Sequence, residues 1–519
     1  MGANPRTMTA LQPPGKSPRR HRASVDARPV GGRASLPLLA AAASLVVGFP
    51  AIANPSLWYD EAVSITVASR TLPQIIELLH SIDLVHGLYY LVLHFWGGLF
   101  GWGELPIRLL SLLALAGAAA GFAVLARKWL DRAAARWGIA VFVLIPGLVW
   151  SGGEARGYAL ALAATIWATV LLDSALARGG VGRWCGYVLV MLVAVGFLLH
   201  SLLSLGFHAF LAWRAWRAGS RPGQRLGLIA SAGALVICAL PFAFLAWQQR
   251  DQVSWASERT PVELLGKAVL GQVFVGPRDA ADAALPLALG AAGLSLLVSL
   301  LLIVWWLPSA RRSSSIRFAL GLGVTWWVLP TVLVLAQALV MPVKFYEERW
   351  LTQCNPGICL LLGPALAHAW DERARAMSLA LTIALAAGFA TNVAIQRTED
   401  SKHGDGYRAL ARFGQDAATV IHMLPSGRSV AITYPTILTA QDWLLDQDGF
   451  TTATFWGTNL APDEAPAPPP GKVVGFFYTK KPKQGTRLLA LMDSHHCTEQ
   501  SRLAKSRLTA VLFTCPSNQ

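Results

Sequence analysis

The sequence predicts an α-helical polytopic membrane protein of about eleven transmembrane helices, carrying a small C-terminal α/β domain. Three observations lead there. The 519-residue chain is 54% hydrophobic and only 14% charged, where a soluble domain is roughly 25% charged. Its mean hydropathy is +0.46. Its apolar runs alternate with short basic loops, and the last 120 or so residues change character.

Residues 1–35 are polar, proline-containing and basic ("GKSPRRHRASVDARPVGGR") and read as a disordered cytoplasmic tail ahead of an uncleaved first span. The spans are expected at 36–54, 105–126, 137–151, 157–176, 184–199, 201–215, 226–247, 284–307, 317–341, 350–369 and 376–395. With the N-terminus inside, the inner loops are "RKWLDRAAAR", "ARGGVGR", "WRAWRAGSRPGQR", "ARRSSSIR" and "DERARA", all basic. The alternate loops are mixed or acidic, as the positive-inside rule requires. The net charge of +15 is thereby spent on topology, and nucleic-acid binding is excluded as its explanation. The expected location is the plasma membrane, with multiple passes.

Residues 55–104 form the first outer loop. Within it, "LPQIIELLHSI" has helical apolar spacing and "GLYYLVLHFWGGLFGW" is short and aromatic-rich, so both suit helices lying in the interfacial plane. Trp58, Tyr59, Tyr89, Tyr90, Trp96 and Trp102 would sit at headgroup level. In residues 396–519, "GYRALARFGQDAATVIHML" reads as an amphipathic helix, and "RSVAITY", "KVVGFFYT" and "TAVLFTC" as strands separated by the loop "APDEAPAPPPG". Among six cysteines, Cys185, Cys238, Cys354 and Cys359 fall in or beside apolar runs and are expected to be buried thiols. Cys497 and Cys515 lie in the polar extracytoplasmic tail, where an oxidising compartment favours a disulfide.

The polar residues at the outer ends of the spans form a set. It comprises Asp60 and Glu61 in "SLWYDEA", Asp83 and His86 in "DLVHGLYY", Glu154, Arg156 and Tyr158 in "SGGEARGYAL", His200, and Lys344 to Arg349 in "PVKFYEERW". Ionisable groups at membrane depth are costly and mark function by default. Solvated caps, headgroup anchoring and satisfied histidines are the structural alternatives for each, and His94 and His208 are taken as structural. The sequence holds no P-loop, dinucleotide fingerprint or nucleophile elbow. An enzyme built on this set needs a donor already in the membrane.

"SLWYDEA", "DLVHGLYYLVLHFW", "FGWGELPIRLLSLL", "SGGEARGYAL" and the late "ERW" together resemble the GT-C glycosyltransferases over residues 36–395. More narrowly, they are similar to the glycosyltransferase family 39-like branch of protein mannosyltransferases and aminoarabinose transferases, and in particular to its actinobacterial membrane mannosyltransferase-like proteins. The resemblance implies a polyprenyl-phosphate-linked sugar as donor, mannose first and arabinofuranose second. The acceptor would be an extracytoplasmic glycan, lipoglycan or protein hydroxyl. It makes Asp60 the candidate general base, with Glu61, Asp83 and Glu154 as supporting carboxylates. Arg156 and Arg349, with Lys344 and Tyr158, become candidates for the donor phosphate. Asp60, Asp83, His86 and Glu154 are the candidates for a divalent cation, Mg or Mn, since metal use varies across the superfamily. Where many relatives have Pro-Pro this chain has His86-Gly87, and where many have Arg-Tyr it has Arg349-Trp350. A lipid-linked-sugar flippase and a non-catalytic envelope scaffold are the alternatives from other classes.

Overall fold

The computed structural model describes residues 35–517 apart from 252–255, 257–258, 278–283, 311–312, 342–343, 372–373, 403–406, 415–418, 425–451, 458–467, 469, 480–481 and 506–507. The first helix, α1 (Ser35–Gly48), is followed by turns and an extended stretch through Trp58. Three short helices come next: α2 (Tyr59–Ala68), α3 (Leu72–Ser81) and α4 (Gly87–Phe100). The bundle continues through α5 (Glu104–Trp129), α6 (Arg132–Leu144), α7 (Pro146–Gly152), α8 (Tyr158–Arg178), α9 (Val181–Phe197), α10 (Ser204–Arg217) and α11 (Pro222–Gln248). It is completed by α12 (Pro261–Gly266), α13 (Leu285–Ala310), α14 (Ser314–Gly323), α15 (Leu329–Val340), α16 (Pro356–Asp371) and α17 (Arg375–Ile395). A π-helical turn, Val324–Val328, joins α14 to α15.

Six helices among the described residues are long and apolar enough to cross a membrane, or seven if α6 and α7, bent by 55°, count as one span. The bend follows from Pro146, which lacks the N–H that would continue the helix. The expected eleven crossings are not reached by this measure. A straight crossing takes about 20 residues, whereas α1 has 14 and α9 has 17. The exposed faces of the long helices are apolar, with Ile237, Leu240, Leu297 and Val304 among them, as a lipid-facing surface must be. Cys354 and Cys359 are buried as expected, but Cys185 and Cys238 are exposed on the protein surface. Both sit on helices of that periphery, α9 and α11, where an apolar residue satisfies lipid rather than protein packing.

Close helix approach depends on small residues. Where α6 meets α16, a Cβ on Gly363 would lie 2.6 Å from the Ala134 carbonyl oxygen and 2.8 Å from the Gly138 nitrogen. Backbone cannot yield as a side-chain tip can, so this crossing requires glycine.

The first-loop helices differ from interfacial expectation in what they bury. Trp58, Tyr89 and Tyr90 are core residues rather than headgroup-level aromatics. Trp96 donates its indole N–H to the Pro106 carbonyl at 2.8 Å. Phe95, Leu99 and Phe100 of α4 are exposed. Tyr59 begins α2, and its side chain lies outside the described residues.

After α17 the chain forms α18 (Tyr407–Gly414), β1 (Thr419–Leu424), β2 (Thr452–Gly457), β3 (Gly471–Tyr478), α19 (Pro482–Ser494), β4 (Thr498–Lys505) and β5 (Leu508–Cys515). The sheet order is β2-β1-β3-β5-β4, with β1 parallel to β2 and β3, and β5 antiparallel to β3 and β4. The long amphipathic helix expected over 406–424 stops at Gly414, and its last third is β1. "TVIHML" carries β-branched residues that suit a strand paired on both edges. The strand expected at "RSVAITY" lies outside the described residues. Cys497 and Cys515 form a disulfide that ties the start of β4 to the end of β5. Val474, Phe476 and Ala510 of the sheet join the same buried cluster as Leu57, Val63, Tyr89 and Tyr90, so the sheet rests on the first-loop helices.

Gly363→Ala should destabilise the protein by about 1–3 kcal/mol, the usual cost of overpacking, and lower its melting temperature in detergent. Gly290→Ala, where an added Cβ meets nothing within 4 Å, should leave it unchanged.

Candidate functional site

The site is organised by the first turn of α2. Asp60 and Glu61 both fall there, where the positive end of the helix favours carboxylates. Consecutive helical residues point about 100° apart, so the two side chains serve different partners.

Glu61 points inward. Arg108 of α5 grips it with two hydrogen bonds, Nε to Oε1 at 2.9 Å and Nη2 to Oε2 at 2.7 Å. The same guanidinium donates to the carbonyls of Ile52, Pro55 and Ser56, which fixes the extended stretch leading into α2. Glu61 Oε1 also accepts from the Ala155 backbone N–H at 3.1 Å and from Lys402 Nζ at 2.6 Å. Lys402 donates further to Glu154 Oε2 at 2.9 Å and to the Gly153 carbonyl at 2.7 Å. The other oxygen of Glu154 accepts the Trp58 indole N–H at 2.5 Å.

Asp60 points to the other side. Its carboxylate faces Arg156 Nη2 and Arg349 Nη2, each at 3.5 Å. Arg349 lies over the Trp58 ring, 5.0 Å from its centroid. Arg156 Nη1 donates to the Tyr90 hydroxyl at 2.7 Å, and Tyr90 donates to Asp83 Oδ2 at 2.8 Å. Tyr158 is within electrostatic reach of Arg349, Asp60 and Arg156. The Asp60 side chain is 18% exposed, whereas those of Glu61 and Glu154 are 0% exposed. Asp60 is therefore the carboxylate of these three that a substrate can reach.

The structure thus brings together Asp60, Glu61, Asp83, Glu154, Arg156, Tyr158 and Arg349. It places others elsewhere. Lys344 donates to the Arg259 carbonyl, in a second cluster where Arg259 pairs with Glu347 at 2.7 Å and Lys267 with Glu348 at 2.6 Å. His200 approaches the Phe345 carbonyl at 3.2 Å and stacks on Trp350, a structural arrangement. His94 and His208 are likewise engaged, by the Ala68 carbonyl and by Thr169 and Tyr187. The cation candidates do not fit a divalent metal. Glu154 is held by Trp58 and Lys402, Asp60 faces two guanidiniums, and Asp83 accepts from Tyr90. Among the described residues no three His, Cys, Asp or Glu side chains gather as a metal would need. Burial and the Arg156 charge hold His86 down to about 4, so its ring is neutral near pH 7.

Arg108, Lys402, Trp58 and Tyr90 are the partners that sequence reasoning missed. Arg108 did leave a signal, as a lone arginine one turn into the apolar run "ELPIRLLSLLALA". Lys402 left none, since it sits in an ordinary polar stretch.

Burial alone would raise both buried glutamates. For Glu61, the charges of Arg108 and Lys402 overcome it and hold the carboxyl at about 2, below its ordinary 4.5. For Glu154, burial prevails over Lys402, with Glu61 adding to it, and lifts the carboxyl to about 7. The two act in different pH windows. A depressed group stabilises the fold above 4.5 and loses that contribution as pH falls toward 2. A raised group stabilises it most below 4.5 and loses that contribution as pH rises toward 7. Each variant should remove one share of the dependence of melting temperature on pH: Glu61→Gln the loss between pH 4.5 and 2, and Glu154→Gln the loss between pH 4.5 and 7.

Against solved structures, the chain is similar to ArnT from Cupriavidus metallidurans bound to undecaprenyl phosphate, with a TM-score of 0.50 and 12% identity over 91% of this chain and 97% of that one. The apo state of the same ArnT gives a TM-score of 0.49 and 13% identity, again over 91% and 97%. The oligosaccharyltransferase AglB from Archaeoglobus fulgidus, in complex with an inhibitory peptide and a dolichol-phosphate, gives 0.47 and 9% over 90% of this chain and 72% of that one. No protein-family model and no curated protein sequence matches the chain. At such identities the likeness is one of fold: this is a helical membrane protein with the fold of the ArnT structure.

Proposed function

We propose that the protein is a membrane glycosyltransferase that takes a sugar from a polyprenyl-phosphate donor and passes it to an acceptor hydroxyl at the extracytoplasmic face. The observation that carries this reading is the partly exposed Asp60 set between two buried guanidiniums, each 3.5 Å away. A carboxylate there can take a proton while the arginines receive a phosphate. The fold shared with a structure that binds undecaprenyl phosphate supports it.

The chemistry follows from the residues. The acceptor oxygen attacks the anomeric carbon, and the bond from that carbon to the phosphate oxygen breaks. The acceptor's proton passes to Asp60. The negative charge arriving on the departing phosphate is met by Arg156 and Arg349, whose interaction strengthens as the charge develops. Products are the glycoside, with inverted anomeric configuration, and the free polyprenyl phosphate. Glu61 and Glu154, buried and already paired, hold the site's shape rather than exchange protons with substrate. Tyr158 lines the phosphate side.

The motifs favour mannose as the sugar, with arabinofuranose as the alternative. The acceptor is a cell-envelope glycan, lipoglycan or protein hydroxyl.

Membranes carrying wild type or Asp60→Asn, supplied with radiolabelled polyprenyl-phosphate mannose, test the reading by following label into protein, lipoglycan and polysaccharide fractions. Wild type should transfer label and Asp60→Asn should fall by at least about 10²-fold, the usual contribution of a general base. Equal transfer by both would remove Asp60 from the chemistry. No transfer by wild type from the mannosyl or the arabinofuranosyl donor would sink the transferase reading and leave a flippase or scaffold. Arg349→Lys should raise the donor KM about tenfold, because an ammonium loses the fork geometry that matches phosphate.

A further inference from the structure

Lys402 enters the site from outside the helical bundle. It lies on the short segment that leaves α17 at Ile395 and leads to α18 and the sheet. Its side chain is only 7% exposed. All three of its protons have acceptors: Glu61 Oε1, Glu154 Oε2 and the Gly153 carbonyl. With Arg108 it makes a buried set of two cations and two carboxylates, electrically neutral as a whole.

The set opens toward the substrate side through Glu154. One of its oxygens is fixed by Lys402, and the other holds the Trp58 indole N–H at 2.5 Å. The face of that indole carries the Arg349 guanidinium, 5.0 Å from the ring centroid. Arg349 in turn faces Asp60. The path from Lys402 to Asp60 is therefore a series of direct contacts.

We propose that Lys402 is a positioning residue for the transfer site: it anchors Glu154, Glu154 anchors the Trp58 indole, and the indole sets the guanidinium of Arg349 that receives the donor phosphate. The inference rests on the transferase reading. Removing the ammonium leaves Glu61 and Glu154 to share Arg108, and a buried carboxylate without its cation is costly. Glu154, a carboxylate left without its cation, then turns from Trp58 toward the remaining guanidinium of Arg108 or toward water, and Arg349 loses its platform.

Undecaprenyl phosphate, which carries the lipid and the phosphate without any sugar, is the probe. Its binding is measured on the full-length protein in lipid nanodiscs. Lys402→Met should weaken it about tenfold, the scale of a desolvated cation–π contact. Lys402→Met combined with Glu154→Gln should bring affinity back to within about threefold of wild type, because the amide oxygen still accepts from Trp58 and no buried charge is left over. Lys402→Met combined with Glu154→Leu is equally charge-balanced but has no acceptor, and should remain weak. A merely structural lysine would not separate these two double variants. If Lys402→Met does not fold, the comparison of the two double variants decides alone: a difference of about tenfold supports the path, and equal affinity overturns it. Unchanged affinity in a folded Lys402→Met also overturns it. Wild type that binds no undecaprenyl phosphate would instead bring down the transferase reading and this inference with it, an outcome distinct from wild type binding with all variants alike.

Discussion

The bidentate pair between Arg108 and Glu61 is the interaction on which the rest of the site depends. Both side chains are fully buried, so neither charge can be met by water. The pair is tolerable because each partner has further hydrogen bonds to spend. Arg108 uses its remaining donors on the carbonyls of Ile52, Pro55 and Ser56 before α2, and Glu61 uses its remaining capacity on the Ala155 N–H and Lys402. One ion pair thereby fixes the entry to α2, the Gly153–Arg156 turn before α8 and the segment after α17. Those are the three places from which Asp60, Arg156 and the Lys402 brace are presented. Charges alternate outward from it, carboxylate to cation to carboxylate, which is the arrangement that lets several ionisable groups share a dry interior.

The second cluster, built from residues far along the chain, applies the same rule. Glu347 and Glu348 are neighbours in sequence and both buried, and burial together with Glu348 lifts Glu347 to about 8. Arg259 and Lys267 come from a different part of the chain to meet them. Arg349 follows immediately, so the guanidinium that faces Asp60 is held by a short stretch pinned on its other side. Tyr346 reaches Gln272 at 3.3 Å, and Gln272 binds Asn355 at the head of α16. The arginine is thus carried on a braced 3-10 helix, Glu348–Cys354.

Much of this was legible in the sequence, for a physical reason. Asp60, Asp83, Glu154, Arg156 and Arg349 stood out because a charged residue beside an apolar run is expensive, and five such residues gathered at four breaks between apolar segments invite a common explanation. The expected apolar segments fall on helices, though 137–151 is broken into α6 and α7 and 317–341 into α14 and α15. The number that crosses is not fixed by hydropathy, because length and the break at Pro146 intervene. What could not be read were partners from distant chain. Tyr90 looked like an interfacial aromatic, and nothing in "GLYYLVLHF" tells which tyrosine turns inward to Arg156. Lys402 is one basic residue among several in a polar stretch, and only the fold brings it to Glu61, 341 positions away. The end of α18 was misread because "ATVIHML" suits a helix face or a strand equally well, and pairing with β2 and β3 decides for the strand.

The position of Lys402 also bears on where this protein can be divided. By architecture the chain separates after α17 into a helical part and a sheet part closed by a disulfide, and a comparison of chains by parts would cut there. By contact it does not. Lys402 is buried among residues of α2 and the turn before α8, and Arg408, six positions on, donates to the Ala53 and Asn54 carbonyls and pairs with Glu104 at 2.9 Å. Gln396, which donates to the Pro146 and Val275 carbonyls, Lys402 and Arg408 all follow the last membrane helix and are bound into the bundle. Gain, loss or exchange of the sheet during descent could preserve the site only if the join fell beyond Arg408, so the boundary that matters to inheritance lies downstream of the one that meets the eye.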